Sequence, residues 1–154
     1  MSDFTGPGVY MVIPTHARDM CVDAWGRKHV KIYDNARCQE NQIWEIVAAG
    51  GDFGDPEVGD KQYHFLAVDS ALVLCAPDNA AKGICSLGSR SVRHPSTRWK
   101  IVSAGGGAFY IVSAAGANLA LNVTGGGRNR GDDLVVTTRA ADSHFQFELK
   151  KPDF

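Results

Sequence analysis

The feature that most constrains the fold of this chain is a short pattern that occurs three times. An aromatic residue is followed by a charged residue and then by aliphatic residues in WEIV from Trp44, in WKIV from Trp99 and, less strictly, in FELK from Phe147. Each copy is preceded by another aromatic residue, at a distance of 34, 34 and 37 positions; these residues are Tyr10, Phe65 and Tyr110. Such regular spacing indicates that one structural unit has been triplicated.

The three units extend over about residues 4–49, 61–104 and 107–154. Gly- and Asp-rich sequence separates the first two, and Gly105-Gly106-Gly107 marks the second junction. A unit of this size cannot bury its own apolar face, so we expect one domain over residues 1–154. A closed, pseudo-threefold β-barrel is the predicted architecture, because closure removes exposed sheet edges.

Strand signals dominate the sequence, and no helical period persists over 11 to 18 residues. Short segments such as GVYMVI, YHFLAV and FYIVS are rich in β-branched and aromatic residues and are bounded by Gly, Pro, Asn or Asp. The chain is therefore predicted to be all-β. Trp44, Trp99 and Phe147 are expected to be structural, each closing its repeat against a shared core.

Charge and composition exclude several classes of function. The net charge of the 154 residues is -1, so a basic surface for nucleic acid is not expected. Neither a signal-like N-terminus nor an apolar run long enough for membrane insertion occurs, which predicts a cytoplasmic protein. The four cysteines have no metal-ligand spacing and are expected to be thiols. The sequence predicts no metal and no cofactor.

Three segments of the first unit have a specific resemblance. Cys21-Val22-Asp23-Ala24, Val30-Lys31-Ile32-Tyr33 and Asn41-Gln42-Ile43-Trp44 resemble the ricin-B-type β-trefoil lectins with their QxW signature. GVYMVIP and DAWG further resemble the small, signal-less fungal agglutinins of that family. The similarity covers nearly the whole chain at the level of repeats and is sharpest in the first.

The resemblance implies a carbohydrate site in the first repeat, for galactose or N-acetylgalactosamine. Asp23 would accept hydrogen bonds from sugar hydroxyls, Tyr33 would stack on the sugar ring, and Asn41 would complete the hydroxyl contacts. Gln42 would support the aspartate. Lys31 replaces the usual glutamine and would orient Asp23 through an ion pair or alter sugar preference.

Other roles remain open for the same residues. Asp23 and Asn41 are also common turn residues, and Tyr33 is also a common strand residue. Trp25 lies in the turn-like DAWGR and would either line the rim of the ligand site or cover the core. The family's disulfide within a repeat would join Cys21 to a residue near Asn35, whereas the available thiol is Cys38.

The other two repeats match the site less well. In the second, either Cys75 or Asp78 stands at the aspartate position, Leu87 or Gly88 at the tyrosine position, and Thr97-Arg98 or its neighbours at the amide pair; we predict that it is empty. In the third, a weakened second site would use Asn122 and His144, with Arg128 or Arg130 from the loop GGGRNRGDD. Val136 or Thr137 would stand at the position of the tyrosine ring.

The sequence thus predicts a non-catalytic lectin, an agglutinin that binds galactose-type glycans on glycoproteins or glycolipids, as a homodimer with several sites on one particle. The alternative is a β-trefoil protease inhibitor that acts through the loops at 50–61 and 125–133. An enzyme is not expected, because the five histidines lie apart and no HExxH, GxSxG or P-loop spacing occurs.

Overall fold

The computed structural model of the protein describes residues 4–36, 38–50, 61–78, 81–89, 94–116 and 118–152. Strands and short 3₁₀ turns make up the regular structure of these residues. The strands are β1 Gly8–Pro14, β2 Met20–Trp25, β3 His29–Asp34, β4 Trp44–Gly50, β5 Gln62–Ala67, β6 Val73–Cys75, β7 Gly83–Ile84, β8 Ser86–Gly88, β9 Trp99–Gly105, β10 Ala108–Ser113, β11 Leu119–Val123, β12 Leu134–Thr138 and β13 Phe147–Lys150. The 3₁₀ turns are Glu40–Gln42, Pro95–Thr97, Thr124–Gly126 and Ser143–Phe145. The all-β prediction is confirmed.

Six strands form a closed ring of antiparallel pairs. β1 pairs with β4, β4 with β5, β5 with β9, β9 with β10, β10 with β13, and β13 with β1. Each repeat contributes its opening strand and its closing strand to this ring. Every edge of the ring is therefore paired, as the repeats predicted.

The remaining strands form one hairpin in each repeat, and the hairpins contact one another. β2 pairs with β3, β6 with β8, and β11 with β12. β3 also pairs with β8, and β12 with β7. Two adjacent repeats can therefore contribute to the surroundings of one hairpin.

The closing aromatic residues anchor the hairpins to the ring. Trp44, Trp99 and Phe147 are fully buried. The indole N–H of Trp44 donates to the Val22 carbonyl at 3.0 Å, and that of Trp99 donates to the Leu74 carbonyl at 3.0 Å. These matching bonds identify Val22 and Leu74 as equivalent positions. The structural role predicted for the three aromatic residues is confirmed.

The strand register corrects two of the opening aromatic residues. Tyr10 lies opposite Trp44, Tyr63 lies opposite Trp99, and Phe109 lies opposite Phe147. The residues equivalent to Tyr10 are therefore Tyr63 and Phe109, not Phe65 and Tyr110 as the spacing predicted. In the second repeat the prediction, Phe65, lies two residues further on, on the same face, and Phe65 remains in the core.

In the third repeat the predicted residue, Tyr110, is wrong by one position. Because side chains alternate along a strand, its ring points away from the main core. It packs with Val112, Ala120 and Phe145 and lies beneath the Arg139 guanidinium, 5.1 Å from the ring centroid.

Phe4 joins the three repeats at one point. Its ring centroid lies 5.4 Å from that of Tyr10, 6.0 Å from Tyr63 and 5.5 Å from Phe109. These are the three residues opposite the closing aromatics, one from each repeat. The half-buried Phe4 ring therefore packs where the three opening strands converge.

The cysteine thiols of the first repeat pack with apolar neighbours. Cys21 is buried beside Met11 and Ile13, and the Cys38 thiol lies 3.4 Å from the Met11 sulfur. Burial raises the pKa of the Cys21 thiol well above its usual range, which keeps it protonated.

Among the described residues, no helix is long and apolar enough to cross a membrane.

Candidate functional site

The β2–β3 hairpin presents the predicted site on its outer face. Val22 and Ala24 of β2 point into the main core, so Asp23 and Trp25 point to the other side. In the antiparallel register Asp23 lies opposite Lys31, and Tyr33 follows two residues later on the same face. Simple strand alternation thus brings the carboxylate, the lysine and both rings onto one surface.

The Asp23 carboxylate is buried and held by two side-chain amides. The residue is only 1% exposed. The Asn41 Nδ2 group donates to its Oδ1 at 2.7 Å, and the Gln42 Nε2 group donates to its Oδ2 at 3.3 Å. Gln42 also donates to the Asp34 carbonyl at 2.7 Å. The 3₁₀ turn Glu40–Gln42 therefore fixes the carboxylate from beside the hairpin. The resemblance implied this support for Gln42, whereas for Asn41 it implied contacts with sugar hydroxyls, which stay a prediction.

Burial shifts the titration of this carboxyl group. Desolvation raises the pKa of Asp23 because it penalises the charged form. The hydrogen bonds from Gln42 and Asn41 act in the opposite direction, and the charge of Asp69 adds a further increase. The net pKa lies above the ordinary value for an aspartate. The group therefore holds its negative charge less strongly than a surface aspartate does.

The two aromatic rings meet over the hairpin. Trp25 is 40% exposed, and its ring centroid lies 5.3 Å from that of the half-buried Tyr33. Trp25 therefore lies on the surface and not over the core, so of its two predicted roles only that at the rim of a ligand site stays a prediction. Exposed aromatic rings beside a fixed carboxylate suit a ligand that has both an apolar face and hydroxyl groups.

Lys31 makes a different ion pair from the one expected. Its Nζ group lies 2.8 Å from Asp133 Oδ1 and 3.3 Å from the Gly131 carbonyl oxygen. Lys31 lies opposite Asp23 in the register, yet the ammonium group reaches across to the loop of the third repeat. The prediction that Lys31 orients Asp23 through an ion pair is therefore wrong.

A cleft of about 350 Å³ opens beside these residues. It is lined by Tyr33, Asp34, Ala36, Gln39, Gln42 and Arg130. Only Tyr33 and Gln42 belong to the predicted site. Asp34, Gln39 and Arg130 are additional polar residues of this cleft that the sequence did not single out, although Asp34 and Gln39 lie within six positions of Tyr33.

Arg130 reaches this cleft from the third repeat. Its guanidinium donates to Asp34 Oδ2 at 2.7 Å and lies 5.4 Å from the Tyr33 ring centroid. Arg130 was predicted to serve a site in the third repeat, but its guanidinium lies against Asp34 and Tyr33 of the first. No local signal could reveal this, because 96 positions separate Arg130 from Asp34.

The second repeat lacks the groups that form the first site. Because Leu74 is equivalent to Val22, Cys75 stands at the Asp23 position and the alternative, Asp78, does not. The register places Gly88, not Leu87, at the tyrosine position. Counting back from Trp99 places Ser96 and Thr97 at the amide pair, which is one of the neighbouring pairs that the sequence allowed beside Thr97-Arg98.

The third repeat keeps an amide but no ring. Asn122 is buried, and its Nδ2 group donates to Thr137 Oγ1 at 2.9 Å and to the Ala120 carbonyl at 3.1 Å. Thr137, not Val136, stands at the tyrosine position. The His144 ring packs against those of Phe145 and His16, 4.8 Å and 6.1 Å away between centroids.

The three residues of the predicted second site are not joined by any described hydrogen bond. Asn122 is bound to Thr137 and its own strand, His144 packs with rings, and Arg128 is exposed on the loop. Within the described ranges, no group of three or more His, Cys, Asp or Glu could hold a metal ion.

The inhibitor alternative assigns its activity to two loops, at 50–61 and 125–133. Residues 51–60 of the first loop lie outside the described residues. The loop at 125–133 lies along β3: Gly131 N–H donates to the Ile32 carbonyl at 2.8 Å, and Ile32 N–H donates to the Asp132 carbonyl at 2.9 Å. This loop is attached to a neighbouring strand and does not extend as a free inhibitory loop would.

Comparison with known proteins identifies the fold. Residues 40–137 match the family model described as ricin-type beta-trefoil lectin domain-like. A sequence comparison with curated proteins finds no match. Solved structures match over nearly the whole chain, at identities below 25%, and therefore bear on the fold alone.

Three of these solved structures show the range of proteins that share the fold. The designed 3-fold symmetric protein ThreeFoil is 20% identical, with a TM-score of 0.77 over 94% of this chain and 99% of that one. The ricin B-like lectin of Macrolepiota procera, solved in complex with lactose, is 17% identical, with a TM-score of 0.75 over 98% and 100%. An exo-beta-1,3-galactanase from Clostridium thermocellum is 16% identical, with a TM-score of 0.72 over 97% of this chain and 31% of that one.

The expected resemblance to ricin-B-type β-trefoil lectins, fungal lectins among them, is confirmed by the family match and these structures. Since the matched segment spans more than half of the 154 residues, this chain belongs to the ricin-type β-trefoil lectin domain-like family.

Proposed function

We propose that the protein is a non-catalytic lectin for glycans that end in galactose or N-acetylgalactosamine, with its main site on the β2–β3 hairpin. The observation that carries this proposal is the buried Asp23 carboxylate, held by Asn41 and Gln42 beside the rings of Trp25 and Tyr33. A carboxylate accepts hydrogen bonds from adjacent hydroxyls, and an aromatic ring covers the C–H face of a sugar. The lactose bound by the Macrolepiota procera lectin supports the galactose class.

A binding role is favoured over catalysis by the groups at this site. Glycoside hydrolysis generally needs two carboxyl groups that flank the bond to be cleaved. Asp23 is sequestered by two amide donors, and Asp34 is engaged by Arg130 and by the Ala36 N–H group. Neither is arranged as a free acid or base. In the galactanase the matched region is 31% of a longer chain, which is compatible with a binding module beside an enzyme.

Calorimetric titration of the purified protein tests the proposal. Galactose and N-acetylgalactosamine should release heat at about one site per chain, and glucose and mannose should not. Asp23→Ala should abolish the signal, because the sugar hydroxyls lose their acceptor. Asn122→Ala is the matched control, since Asn122 occupies the equivalent buried position in the third hairpin.

The outcomes separate the alternatives. Normal binding by a folded Asp23→Ala protein would contradict the site, and a stoichiometry near two that Asn122→Ala reduces to one would add the third repeat. No heat with any of the four sugars would contradict the lectin proposal. A protease panel would then test the inhibitor alternative.

We also propose that the protein acts in the cytoplasm as a homodimer. Contacts with a single sugar are weak, and two sites on one particle raise the avidity for a glycan-bearing surface. Light scattering should give twice the chain mass, and a dimer should agglutinate galactose-coated beads. A monomer that agglutinates nothing would contradict this part of the proposal.

A further inference from the structure

The cleft beside Tyr33 is assembled from two repeats, and this joint is fixed by backbone contacts. Gly131 and Asp132 exchange hydrogen bonds with Ile32 of β3, and Asp133 forms a bridge with Lys31. The Lys31 ammonium group reinforces the joint through the Asp133 carboxylate. Arg130, which immediately precedes this attached segment, is therefore held at the first repeat.

The interior of the loop also limits its conformations. Asp132 Oδ2 accepts the Asn129 N–H at 2.9 Å, and the Asp132 N–H donates to the Asn129 carbonyl at 3.1 Å. A Cβ atom at Gly127 would collide with the Asp132 carboxylate. The backbone on both sides of Arg130 is thus tied down, and its guanidinium is held by Asp34 and the Tyr33 ring, so it needs less ordering before it meets a ligand.

We propose that the carbohydrate site continues past Tyr33 into this cleft, which binds the second sugar residue of a glycan, and that Arg130 determines the affinity for that residue. This inference rests on the proposed lectin function. Tyr33 and Gln42 belong both to the predicted site and to the cleft wall, so a disaccharide that contacts the hairpin can extend directly into it. A volume of about 350 Å³ lies at the lower end of small-molecule pockets.

The charges of the cleft favour a neutral sugar. Arg130 and Asp34 neutralise each other at 2.7 Å, and the nearby Asp23 adds a further carboxylate to this side of the molecule. An acidic sugar would meet two carboxylates and an arginine that is already paired. Neutral hydroxyls instead find N–H donors on the guanidinium and vacant lone pairs on Asp34. The exposed Gln39 amide adds another donor and acceptor at the edge.

Titration with methyl β-galactoside and lactose tests the inference, because the two ligands share the galactose unit and differ in the second sugar. Wild-type protein should bind lactose about tenfold more tightly, the effect of one or two hydrogen bonds to a charged group. Arg130→Met should remove this advantage, so that the affinities of this variant for lactose and for methyl β-galactoside differ less than twofold. Arg128→Met, on the same loop but outside the cleft, should behave as wild type.

Each result has a distinct meaning. Failure of wild-type protein to bind either ligand would contradict the lectin function itself. Equal affinity for both ligands, or an advantage of lactose that survives in Arg130→Met, would overturn the second subsite and leave the lectin function intact. Tighter binding of sialylated lactose than of lactose would overturn the neutral chemistry of the cleft.

Discussion

At the scale of single residues, Asp23 joins two properties that usually conflict. A carboxylate that accepts hydrogen bonds from sugar hydroxyls, the role we propose for Asp23, has to be charged, yet this one is almost completely buried. The amides of Asn41 and Gln42 compensate for part of the lost hydration, and the pKa still lies above that of an ordinary aspartate. The group therefore loses its charge on acidification earlier than a surface aspartate would.

We predict that acid weakens sugar binding before it unfolds the protein. Affinity for galactose should fall at a pH above about 3.9, the ordinary value for aspartate. The folded-state pKa is raised, so the contribution of this group to stability is fully present below the unfolded-state pKa and is lost as pH rises through the folded-state pKa. Protonating Asp23 thus favours the folded state while it removes the acceptor for the sugar.

Calorimetry over a pH series, with thermal melts in the same buffers, measures both effects. Asp23→Asn should bind more weakly with a flat pH profile over this range. A wild-type profile whose midpoint lies at or below that of an exposed aspartate would contradict the prediction.

The residues that the sequence could predict here are those of one hairpin and its adjoining turn. Asp23, Tyr33 and Asn41 lie within 19 positions, and strand alternation with a local turn brings them together. Arg130 and the true partner of Lys31 could not be predicted, because they depend on which loop lies against β3. That packing is set by the backbone hydrogen bonds between Ile32 and residues Gly131 and Asp132, about 100 positions apart, for which a single sequence has no periodic signal.

At the scale of elements, the closing strands hold the hairpins through single indole bonds. Trp44 and Trp99 make the same bond to equivalent carbonyls, and Phe147 fills the third position with no such donor. The fold therefore tolerates one repeat without the bond. The aromatic pattern in the sequence predicted these positions because each ring recurs at the start of a strand.

Trp44→Phe should lower the free energy of unfolding by about 1–3 kcal/mol, because the buried Val22 carbonyl loses its partner while most of the ring is retained. Urea denaturation measures the change. Trp99→Phe is the matched variant and should lose a similar amount through Leu74. A Trp44→Phe protein as stable as wild type would show that water or a neighbouring group replaces the indole donor.

The register also shows how the sequence failed for one element. Opening aromatics at Phe65 and Tyr110 gave even spacing, but the strands pair through Tyr63 and Phe109. A two-residue error keeps the same face, so Phe65 still lies in the main core. A one-residue error reverses the face, and adjacent aromatics in AFYIVS could not decide it.

At the scale of the whole molecule, the three repeats meet around one ring, that of Phe4. It contacts one aromatic residue from each opening strand at centroid distances of 5.4 to 6.0 Å. The sequence offered no reason to single out Phe4, because it precedes the first repeated pattern. Its role follows only from the convergence of three strands.

Phe4→Ala should destabilise the entire fold by about 1.5–3 kcal/mol, through loss of apolar burial and three ring contacts. Phe4→Leu should retain most of the burial and lose less. Denaturation followed by circular dichroism and by tryptophan fluorescence should show one coincident transition for both variants. A separate early transition for one repeat would contradict the view that Phe4 couples all three.

The attachment of the 125–133 loop to β3 has a consequence for engineering by symmetry. In the first repeat the corresponding hairpin connection is only three residues long, and its Lys28 carbonyl accepts the Leu87 N–H of the second repeat at 3.0 Å. A threefold protein made by copying residues 4–49 would reproduce the carboxylate, the amides and the rings three times. It would contain no residue equivalent to Arg130 in any copy. All three sites would therefore resemble one another, and none would have the guanidinium of the natural cleft. To restore the arginine, the 125–133 loop would have to be inserted into the copy that precedes each site. The site and its arginine would then come from two neighbouring copies.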